Sequence, residues 1–521
     1  MMAYLMTIDA GTGSVRAVIF DEAGQQVSVG QQEWVHLPEA GVADSMNFDF
    51  RKNWEVTSEC IREAIAKAGI APEEILAVTA SSMREGIILY DAEGRELWGV
   101  ANVDARASAE VKELKEKFPG IEEAFYRESG QTFALGALPR LLWVKKHRPD
   151  IYEKTARLSM ISDWVLAKLS GVIATDPSNA GTTGIFSLAK RQWERGQANQ
   201  VGIKDEIFPP VYEPSEVIGE VTRRASDETG LSRGTKVVMG GGDVQLGSAG
   251  LGVVREGESA ILGGSFWQQI VNIDASETPP ADMRLRVNPH VIRGLSQAEG
   301  ITFFSGLIMR WFRDAFCETE KVDAVQRGID VYEVLEEMAA KVPVGSHGII
   351  PIFSDAMNYG KWYHASPSFL NLSLDATLCN KASMFRSLEE NAAIVSAINL
   401  ERISAFSGIE NDSLTFAGGA SKGKLWPQIV ADVMGKEIRI PVVKEATSLG
   451  GAMMAGIGAG LYRSIDQAAK ELVRWERTVE PNQENFHKYS EIKEQWQEIY
   501  VQQLKLVDQG LLRSMWKAPG V

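Results

Sequence analysis

The sequence predicts an α/β fold built from two similar domains that face each other across a cleft. Strand-like and helix-like segments alternate over most of the first half of the 521 residues, which favours an α/β architecture. A strand, a glycine turn and a second strand at residues 5–21 recur at residues 259–274. Glycine-turn hairpins are common, so the hairpins alone leave a coincidental likeness open. We place the domain boundary near residue 253, with an N-terminal domain at residues 1–253 and a C-terminal domain at residues 254–521.

The elements of the first domain follow from local residue patterns. Residues 4–35 are strand-like segments separated by glycine turns, and they predict three strands. Apolar residues at helical spacing predict a helix over residues 53–68, with Asn53 as its cap. A continuous apolar run predicts a buried strand at residues 75–82, and residues 86–97 predict a hairpin.

The C-terminal segment from about residue 466 to residue 512 predicts an amphipathic helix. Large apolar side chains recur there at helical spacing, and they are Trp475, Tyr489, Trp496, Tyr500 and Leu504. We expect these side chains to pack against the domain rather than to hold a cofactor or a partner.

Composition and charge exclude several classes of protein. With 45% hydrophobic and 24% charged residues, the chain is of ordinary globular type. A net charge of -15 argues against general binding of nucleic acid or anionic lipid. The three cysteines are scattered, so neither a zinc site nor a disulfide framework is indicated. The start of the chain lacks a signal-peptide pattern and no apolar stretch is long enough to span a bilayer. We therefore expect a cytoplasmic protein.

Two enzyme classes are also excluded by their missing motifs. The chain has six histidines, none of them near a Gly-x-Ser-x-Gly elbow, and it has no His-Glu-x-x-His sequence. Serine hydrolase and metalloprotease chemistry depend on those arrangements. Neither class fits this chain.

The first candidate site is the turn in DAGTGSVR, from Asp9 to Arg16. Glycines in a turn between strands expose backbone amides and let a phosphate approach closely. Asp9 is suited to hold Mg²⁺ through water, since a hard cation prefers oxygen ligands. A plain hairpin turn is the alternative. The candidate phosphate-binding residues are Gly11, Thr12, Gly13, Ser14 and Arg16.

The second candidate is Asp243, which follows three glycines at residues 240–242. The glycines remove side chains from around the carboxylate, so that it can reach a substrate. A general base for a hydroxyl proton is the natural role of such a group. Asp243 is also a candidate Mg²⁺ ligand. An inter-domain hinge with an aspartate cap is the alternative.

The third candidate is a strand, turn and helix over residues 416–432. Backbone amides at the start of such a helix can receive a nucleotide phosphate or the face of an adenine. The segment is neither a Walker A loop nor a dinucleotide-binding fingerprint, and a tight turn is the alternative. The residues assigned to ATP here are Gly418, Gly419, Gln428 and Asp432.

The fourth candidate is a group of polar residues at strand ends. Arginine and carboxylate side chains can bind the hydroxyl and carbonyl groups of a small polyhydroxylated molecule. A surface salt bridge is the alternative, and it would contribute little to stability. The residues assigned to the substrate are Arg84, Glu85, Asn102, Asp104, Asp243 and Gln245.

The first three motifs, in this order and at this separation, resemble those of the FGGY carbohydrate kinases over roughly residues 4–510. That family includes glycerol kinase, xylulokinase and ribulokinase. Its fold is the actin-like ATPase architecture, with two ribonuclease-H-like domains flanking a catalytic cleft. The resemblance implies ATP-dependent phosphorylation of a hydroxyl group, with Mg²⁺.

The resemblance also implies roles for single residues. Asp243 resembles the catalytic base, and Arg84 with Glu85 resembles the substrate pair. The segment 445–450 resembles a hinge that follows the adenosine motif. A second phosphate motif usually reads Gly-Thr-Ser in the family, and here it corresponds to Gly263, Gly264 and Ser265. We expect the Ser265 hydroxyl to serve where glycine replaces the threonine.

Further segments resemble one branch of the family more closely. They include SMREGI (82–87), DPSNAGTTG (176–184) and GGSFWQQ (263–269). That branch phosphorylates a small linear dihydroxy dione that serves as a bacterial quorum-sensing signal. The implied reaction converts 4,5-dihydroxypentane-2,3-dione to its 5-phosphate. The apolar residues that we expect at the acceptor pocket are Phe266, Trp267 and Phe304.

Three alternatives remain open. The residue patterns support a kinase without selecting the acceptor, so a kinase of glycerol, xylulose or ribulose type is the nearest alternative. An actin-like chaperone or filament protein would lack the Gly-Gly-Gly-Asp base. A non-catalytic sensor would not need Asp9, Asp243 and the Gly418-Gly419 turn together.

The resemblance further implies the partners of the chain. They are a small-molecule acceptor and, as a regulator, a carrier protein of the phosphotransferase system. Neither nucleic acid nor a membrane is among them, and the expected state is a monomer or a homodimer.

Overall fold

The computed structural model describes residues 3–134, 136–355, 363–443 and 445–518. Its strands are β1 Tyr4–Ala10, β2 Ser14–Asp21, β3 Gln26–Glu33, β4 Ile75–Ser82, β5 Ile87–Tyr90, β6 Glu96–Val100, β7 Arg157–Met160, β8 Phe186–Ser187, β9 Gln192–Trp193, β10 Val217–Glu220, β11 Lys236–Val238, β12 Gly241–Gly242, β13 Ser259–Gly263, β14 Trp267–Asp274, β15 Arg286–Pro289, β16 Leu295–Thr302, β17 Ile350–Ile352, β18 Ser368–Leu370, β19 Ser413–Gly418, β20 Glu437–Pro441 and β21 Trp475–Val479.

Its α-helices are α1 Phe50–Ala68, α2 Ser108–Lys117, α3 Ile121–Ser129, α4 Ala137–His147, α5 Pro149–Lys154, α6 Ile161–Ser170, α7 Pro177–Gly181, α8 Arg195–Gln200, α9 Arg223–Thr229, α10 Asp243–Gly250, α11 Ser305–Phe316, α12 Glu318–Arg327, α13 Val331–Ala339, α14 Lys381–Ser407, α15 Leu425–Met434, α16 Ala446–Ala459, α17 Ile465–Leu472 and α18 Gln483–Asp508. Within the described residues, none of these helices combines the length and the apolar character needed to cross a bilayer.

Two seven-stranded sheets form the centres of two lobes. The first has the order β3-β2-β1-β4-β11-β10 with β12 beside β4, and the second has the order β15-β16-β14-β13-β19-β20-β21. In each sheet three adjacent antiparallel strands, β3-β2-β1 or β16-β14-β13, are followed by two parallel strands. The hairpins β1–β2 and β13–β14 therefore hold equivalent places, which confirms the repeat that the sequence predicts.

The start of α1 differs from the prediction by one turn. Asp49 is the N-cap, and its side chain accepts a hydrogen bond from the Lys52 amide at 3.0 Å. Asn53, the predicted cap, is buried inside the helix. The helix begins one turn earlier than predicted because the Asp49 carboxylate satisfies a free amide of its first turn.

The C-terminal tail is not one helix, so that prediction was wrong in part. It consists of α17, β21 and α18, and Trp475 lies in β21, which pairs antiparallel with β20. Pro481 separates the strand from α18 and prevents a continuous helix. Tyr489 and Trp496 are buried against the second lobe as expected.

Helices α10 and α16 cross between the two lobes. Although α16 comes late in the chain, its Leu449 and Met453 pack with Leu5 of the first sheet. Val244 of α10, in turn, packs with Ile270 of the second sheet. Each lobe is therefore covered by a helix from the other half of the sequence.

Two glycines bring the crossing helices into backbone contact. A Cβ on Gly250 would overlap the carbonyl oxygen of Ala446, and a Cβ on Gly450 would overlap that of Leu246. No residue larger than glycine fits either position without separating the helices. The crossing also places the first residue of α10 at the cleft.

Replacing Gly450 by alanine should destabilise the protein, because the new methyl group meets backbone rather than a flexible side chain. Overpacking of this kind costs roughly 1–3 kcal/mol, so differential scanning calorimetry should show a lower Tm. The matched control is Gly196→Ala in α8, where the space around the glycine is open. An unchanged Tm in Gly450→Ala would contradict the close crossing.

Candidate active site

Asp9 and Asp243 meet at one edge of the first sheet. Asp9 is the penultimate residue of β1, and Asp243 directly follows β12. Strand β4 lies between them, with Ser82 in register with Ala10 on one side and with Gly242 on the other. The parallel pairing therefore delivers both carboxylates to the same place.

The two carboxyl groups hold protons more tightly than ordinary aspartates. Burial raises the pKa of Asp9 to about 7, with Arg16 opposing the shift and Asp243 and Glu445 adding to it. Burial also raises the pKa of Asp243 to about 6, against the opposing charge of Arg84. Neighbouring carboxylates of this kind are stabilised by a cation.

The donor set at this edge fits Mg²⁺. Asp9 and Asp243 offer hard oxygen ligands, and Mg²⁺ commonly takes one or two carboxylates together with water and substrate phosphates. Among the described residues, no group of three or more His, Cys, Asp or Glu side chains converges on one point. Two carboxylates of this kind suit an ion that also takes water and phosphate oxygens as ligands.

The glycines before Asp243 let the chain pack tightly against β4. A Cβ on Gly240 would overlap the carbonyl oxygen of Ala80, and one on Gly242 would lie 2.8 Å from Oε1 of Gln245. The Gly242 amide donates to Oγ of Ser178 at 2.9 Å. The Asp243 side chain itself is 40% exposed, so it can reach a substrate, as the sequence predicts.

The turn at residues 11–13 presents its backbone amides. Its carbonyl groups are held from below, since Nε1 of Trp34 donates to the Gly11 carbonyl at 2.9 Å and the Trp34 amide donates to the Gly13 carbonyl at 3.2 Å. In the described part of the chain, the amides of residues 11–13 make no hydrogen bond. Beyond this turn, Ser14 opens β2 and Arg16 pairs with Glu445 at 2.5 Å.

The glycine turns at residues 263–265 and 418–419 lie side by side. Gly263 and Gly418 are register partners on β13 and β19, and a Cβ on Gly418 would lie 2.5 Å from the Gly263 carbonyl oxygen. Gly418 has φ 103, which glycine alone adopts readily. The Ser265 carbonyl accepts a hydrogen bond from the Gly306 amide at 3.1 Å, which fixes the turn from behind.

The other residues predicted to bind ATP in these two segments are either exposed at the turns or directed toward α18. Gly264 and Ser265 are exposed at the turn, and Gly419 has open space around it. Gln428 and Asp432 are turned toward α18: the Asp432 carboxylate accepts hydrogen bonds from the Asn482 amide and from the Gln428 side chain, each at 2.8 Å. These two side chains anchor a helix, and contact with a nucleotide stays a prediction for them.

The predicted substrate pair is engaged by the second lobe. Nη1 of Arg84 donates to both oxygens of Glu299, at 2.7 and 3.0 Å, and Glu85 forms an ion pair with Arg286. Burial alone would lower the pKa of Arg84, but the charges of Glu299 and Asp243 raise it. Burial would raise the pKa of Glu85, but Arg286 and Arg84 lower it. Both groups stay charged.

The remaining predicted substrate residues divide into two kinds. Asn102 donates to Oγ1 of Thr12 at 3.1 Å, and Gln245 donates to Glu299 at 2.7 Å. Each keeps a buried side-chain oxygen without a partner among the described residues. Asp104, by contrast, is committed to Arg106 at 2.8 Å and to a backbone amide. Its carboxylate fixes neighbouring protein groups in place, and contact of Asp104 with a substrate stays a prediction.

Sequence reasoning missed Arg286 and Glu299. They lie in strands β15 and β16, at positions directly opposite each other, and both are buried. A charge inside a strand-like segment was the available signal, because a charge that becomes buried needs a partner. Of the predicted pocket residues, Phe266 is exposed beside Phe304, whereas Trp267 is buried in the core.

Asp9→Asn should stabilise the free protein in EDTA at pH 8. The raised pKa means that the Asp9 carboxylate disfavours the folded state, increasingly so as pH rises from 3.8 to about 7. The Tm should rise by on the order of 2 °C at pH 8 and by less at pH 5. Asp227→Asn, at an exposed site, is the control. A Tm gain that is equal at both pH values would contradict the assignment.

Comparison with known proteins identifies the family. The model of the N-terminal domain of the FGGY family of carbohydrate kinases matches residues 4–250, and that of the C-terminal domain matches residues 271–459. The autoinducer-2 kinase of Salmonella typhimurium strain LT2 is 56% identical over 519 residues, which cover 99% of this chain and 98% of that protein. The autoinducer-2 kinase of Escherichia coli strain K12 is 57% identical with the same coverage.

Solved structures agree with the predicted two-domain α/β fold. The xylulose kinase from Rhodospirillum rubrum has a TM-score of 0.82 at 22% identity, with 96% of this chain and 98% of that chain covered. The glycerol kinase from Plasmodium falciparum with ADP has a TM-score of 0.81 at 19% identity and the same coverage. Likeness at these identities concerns the fold alone, and it confirms the actin-like architecture. From the family models and the near full-length relatives together, the chain belongs to the FGGY family of carbohydrate kinases.

Proposed function

We propose that this chain is an ATP-dependent kinase that phosphorylates autoinducer-2, as linear 4,5-dihydroxypentane-2,3-dione, to its 5-phosphate. Asp243 carries the chemical part of the proposal: its carboxylate is exposed at the cleft, framed by glycines and 3.6 Å from Nε of Arg84. The relatives that are 56–57% identical over nearly the whole chain support the choice of acceptor.

The phosphates of ATP bind between the two glycine turns. The amides of residues 11–13 and the turn at 263–265 donate to phosphate oxygens, which suits a reaction that depends on positioning and on neutralised charge. The adenosine lies against the turn at 418–419. Asp9 and Asp243 would hold Mg²⁺ through water, and the ion would supply positive charge to offset that of the phosphates.

The acceptor binds between the substrate pair and Asp243. Arg84 and Glu85 orient its hydroxyl groups, with Asn102 and Gln245 at the border of the site. Asp243 accepts the proton of the terminal hydroxyl as that oxygen attacks the γ-phosphate. Closure of the lobes about the α10–α16 crossing excludes water and limits hydrolysis of ATP.

The proposal also covers the domain boundary, the location, the oligomeric state and the regulation of the enzyme. The two halves divide near residue 253, between α10 and β13. The enzyme works in the cytoplasm as a monomer or a homodimer and removes a quorum-sensing signal by phosphorylation. A carrier protein of the phosphotransferase system regulates it.

An ADP-release assay tests the proposed acceptor. The enzyme receives Mg·ATP with dihydroxypentanedione, glycerol, D-xylulose or L-ribulose in turn. We expect selective turnover of the dione, because identity to the autoinducer-2 kinases extends over the whole chain. Preferred turnover of glycerol or a ketose would keep the kinase and overturn the acceptor.

Asp243→Asn tests the catalytic base in the same assay. We expect kcat to fall by about 10²–10⁴-fold, the usual contribution of a positioned general base, while the Tm does not fall, because the raised pKa of Asp243 makes its carboxylate unfavourable for folding. Asp227→Asn, at a distant exposed site, should keep wild-type kcat. A near-normal kcat in Asp243→Asn would remove Asp243 from this role.

A further inference from the structure

Arg286 and Glu299 form a pair of opposite charges that the second lobe presents to the first. They are register partners on the antiparallel strands β15 and β16. Glu299 has no exposed surface and Arg286 is 8% exposed. Their targets, Arg84 and Glu85, are consecutive residues of the first lobe. Two ion pairs of opposite polarity therefore lie side by side across the cleft.

These groups form a row that begins at the catalytic carboxylate. Arg84 lies next to Asp243, with 3.6 Å between Nε and Oδ1. Glu85 comes next, and Arg286 follows through its ion pair with Glu85. At the far end, Nε of Arg286 donates to Oε1 of Gln131 at 2.5 Å.

The far end of the row offers donors where the near end offers both donors and acceptors. Gln131 is fixed with its oxygen toward Arg286, because its Nε2 donates to the Val287 carbonyl at 2.8 Å. Nη1 of Arg286 makes no hydrogen bond with any described residue. An arginine has no acceptor, so this end suits a ligand oxygen that only accepts.

The hydrogen-bonding groups of a linear dihydroxy dione change along its length in the same order as those of the row. Its hydroxyl groups donate and accept, which matches Arg84 with Glu85, whereas its carbonyl oxygens only accept. With the terminal hydroxyl at Asp243, the carbonyl groups extend along the row toward Arg286. Nη1 of Arg286 carries two hydrogens, so it can donate to two neighbouring oxygens.

We propose that Arg286 is a specificity-determining residue that donates hydrogen bonds to the carbonyl oxygens of the acceptor and so selects a dione over a plain diol. The inference rests on the proposed function, since it takes the acceptor to be a dione. Glu299 acts differently: it binds Arg84 and Gln245 and is a positioning residue for every acceptor.

The test compares the dione with pentane-1,2-diol, which has the same carbon chain and hydroxyl groups without the carbonyls. The KM of the dione and the Ki of the diol, as a competitive inhibitor against the dione, are measured for each variant. Arg286→Met should raise the KM at least about 10-fold, as expected for loss of charge-assisted hydrogen bonds, and leave the Ki within about twofold. Glu299→Gln should raise both constants together and lower kcat.

Two further variants guard the result against a folding defect. Arg286→Lys keeps the buried positive charge but not the planar fork, so it should raise the KM by a smaller factor with the Ki unchanged. Arg284→Met, at an exposed site paired with Asp282, is the matched control and should change neither constant. The Tm of each variant is measured alongside.

The outcomes separate this inference from the proposed function. A wild-type enzyme that leaves the dione unphosphorylated contradicts the proposed function. A wild-type enzyme that prefers the dione, with an unchanged KM in both Arg286 variants, overturns the inference alone. Equal rises of KM and Ki in both variants overturn it as well, because they indicate a structural role.

Discussion

The backbone contact between α10 and α16 is the constraint on which the rest of the site depends. Gly250 and Gly450 allow the two helices to touch, and the helices begin at the cleft. The start of α10 is Asp243, and near the start of α16 the Thr447 hydroxyl donates to the Asp243 carbonyl at 3.1 Å. Just before α16, Glu445 pairs with Arg16 of β2, the strand that follows the turn at residues 11–13. Asp243, the segment at 445–447 and strand β2 beside the turn at residues 11–13 are thus one connected unit.

The site brings together negative charges that lower the stability of the folded protein when no cation is bound. Partial loss of contact with water raises the pKa of both Asp9 and Asp243, and nearby carboxylates add to each shift: Asp243 and Glu445 for Asp9, Glu85 and Glu299 for Asp243. Such arrangements are characteristic of functional sites, where stability is lower than the fold would otherwise permit. The ion pairs of Arg84 with Glu299 and of Glu85 with Arg286 offset part of this cost, because each buried charge has a partner of opposite sign from the other lobe. The side chains that join the two lobes are therefore the same ones that we propose for the acceptor.

Local patterns in the sequence were enough to predict the parts of the fold that are built locally. The glycine turn after Asp9 and its repeat at Gly263 mark the equivalent hairpins of both sheets, because a tight turn between strands needs glycine at few, fixed places. Asp243 was recognisable because three glycines precede it. The tail was harder: Trp475 fits a helical spacing, yet the edge of the second sheet recruits its segment as a strand.

Contacts between distant segments could not be predicted from one sequence. Glu299 is more than two hundred residues from Arg84, and nothing near either residue indicates that they meet. Asp432 was assigned to ATP because of its place after the Gly418 turn, but its carboxylate anchors Asn482 at the start of α18. A motif fixes where a residue lies along an element, whereas its partners depend on the packing of the whole chain.

The position of the new phosphate on the product tests the account most directly. The enzyme is incubated with Mg·ATP and dihydroxypentanedione, and the product is examined by proton-coupled phosphorus NMR. With the terminal hydroxyl at Asp243, the phosphate is attached to a CH₂ group, and its signal is a triplet. A doublet, from a phosphate on the neighbouring CH group, or inorganic phosphate alone would contradict the placement of the acceptor.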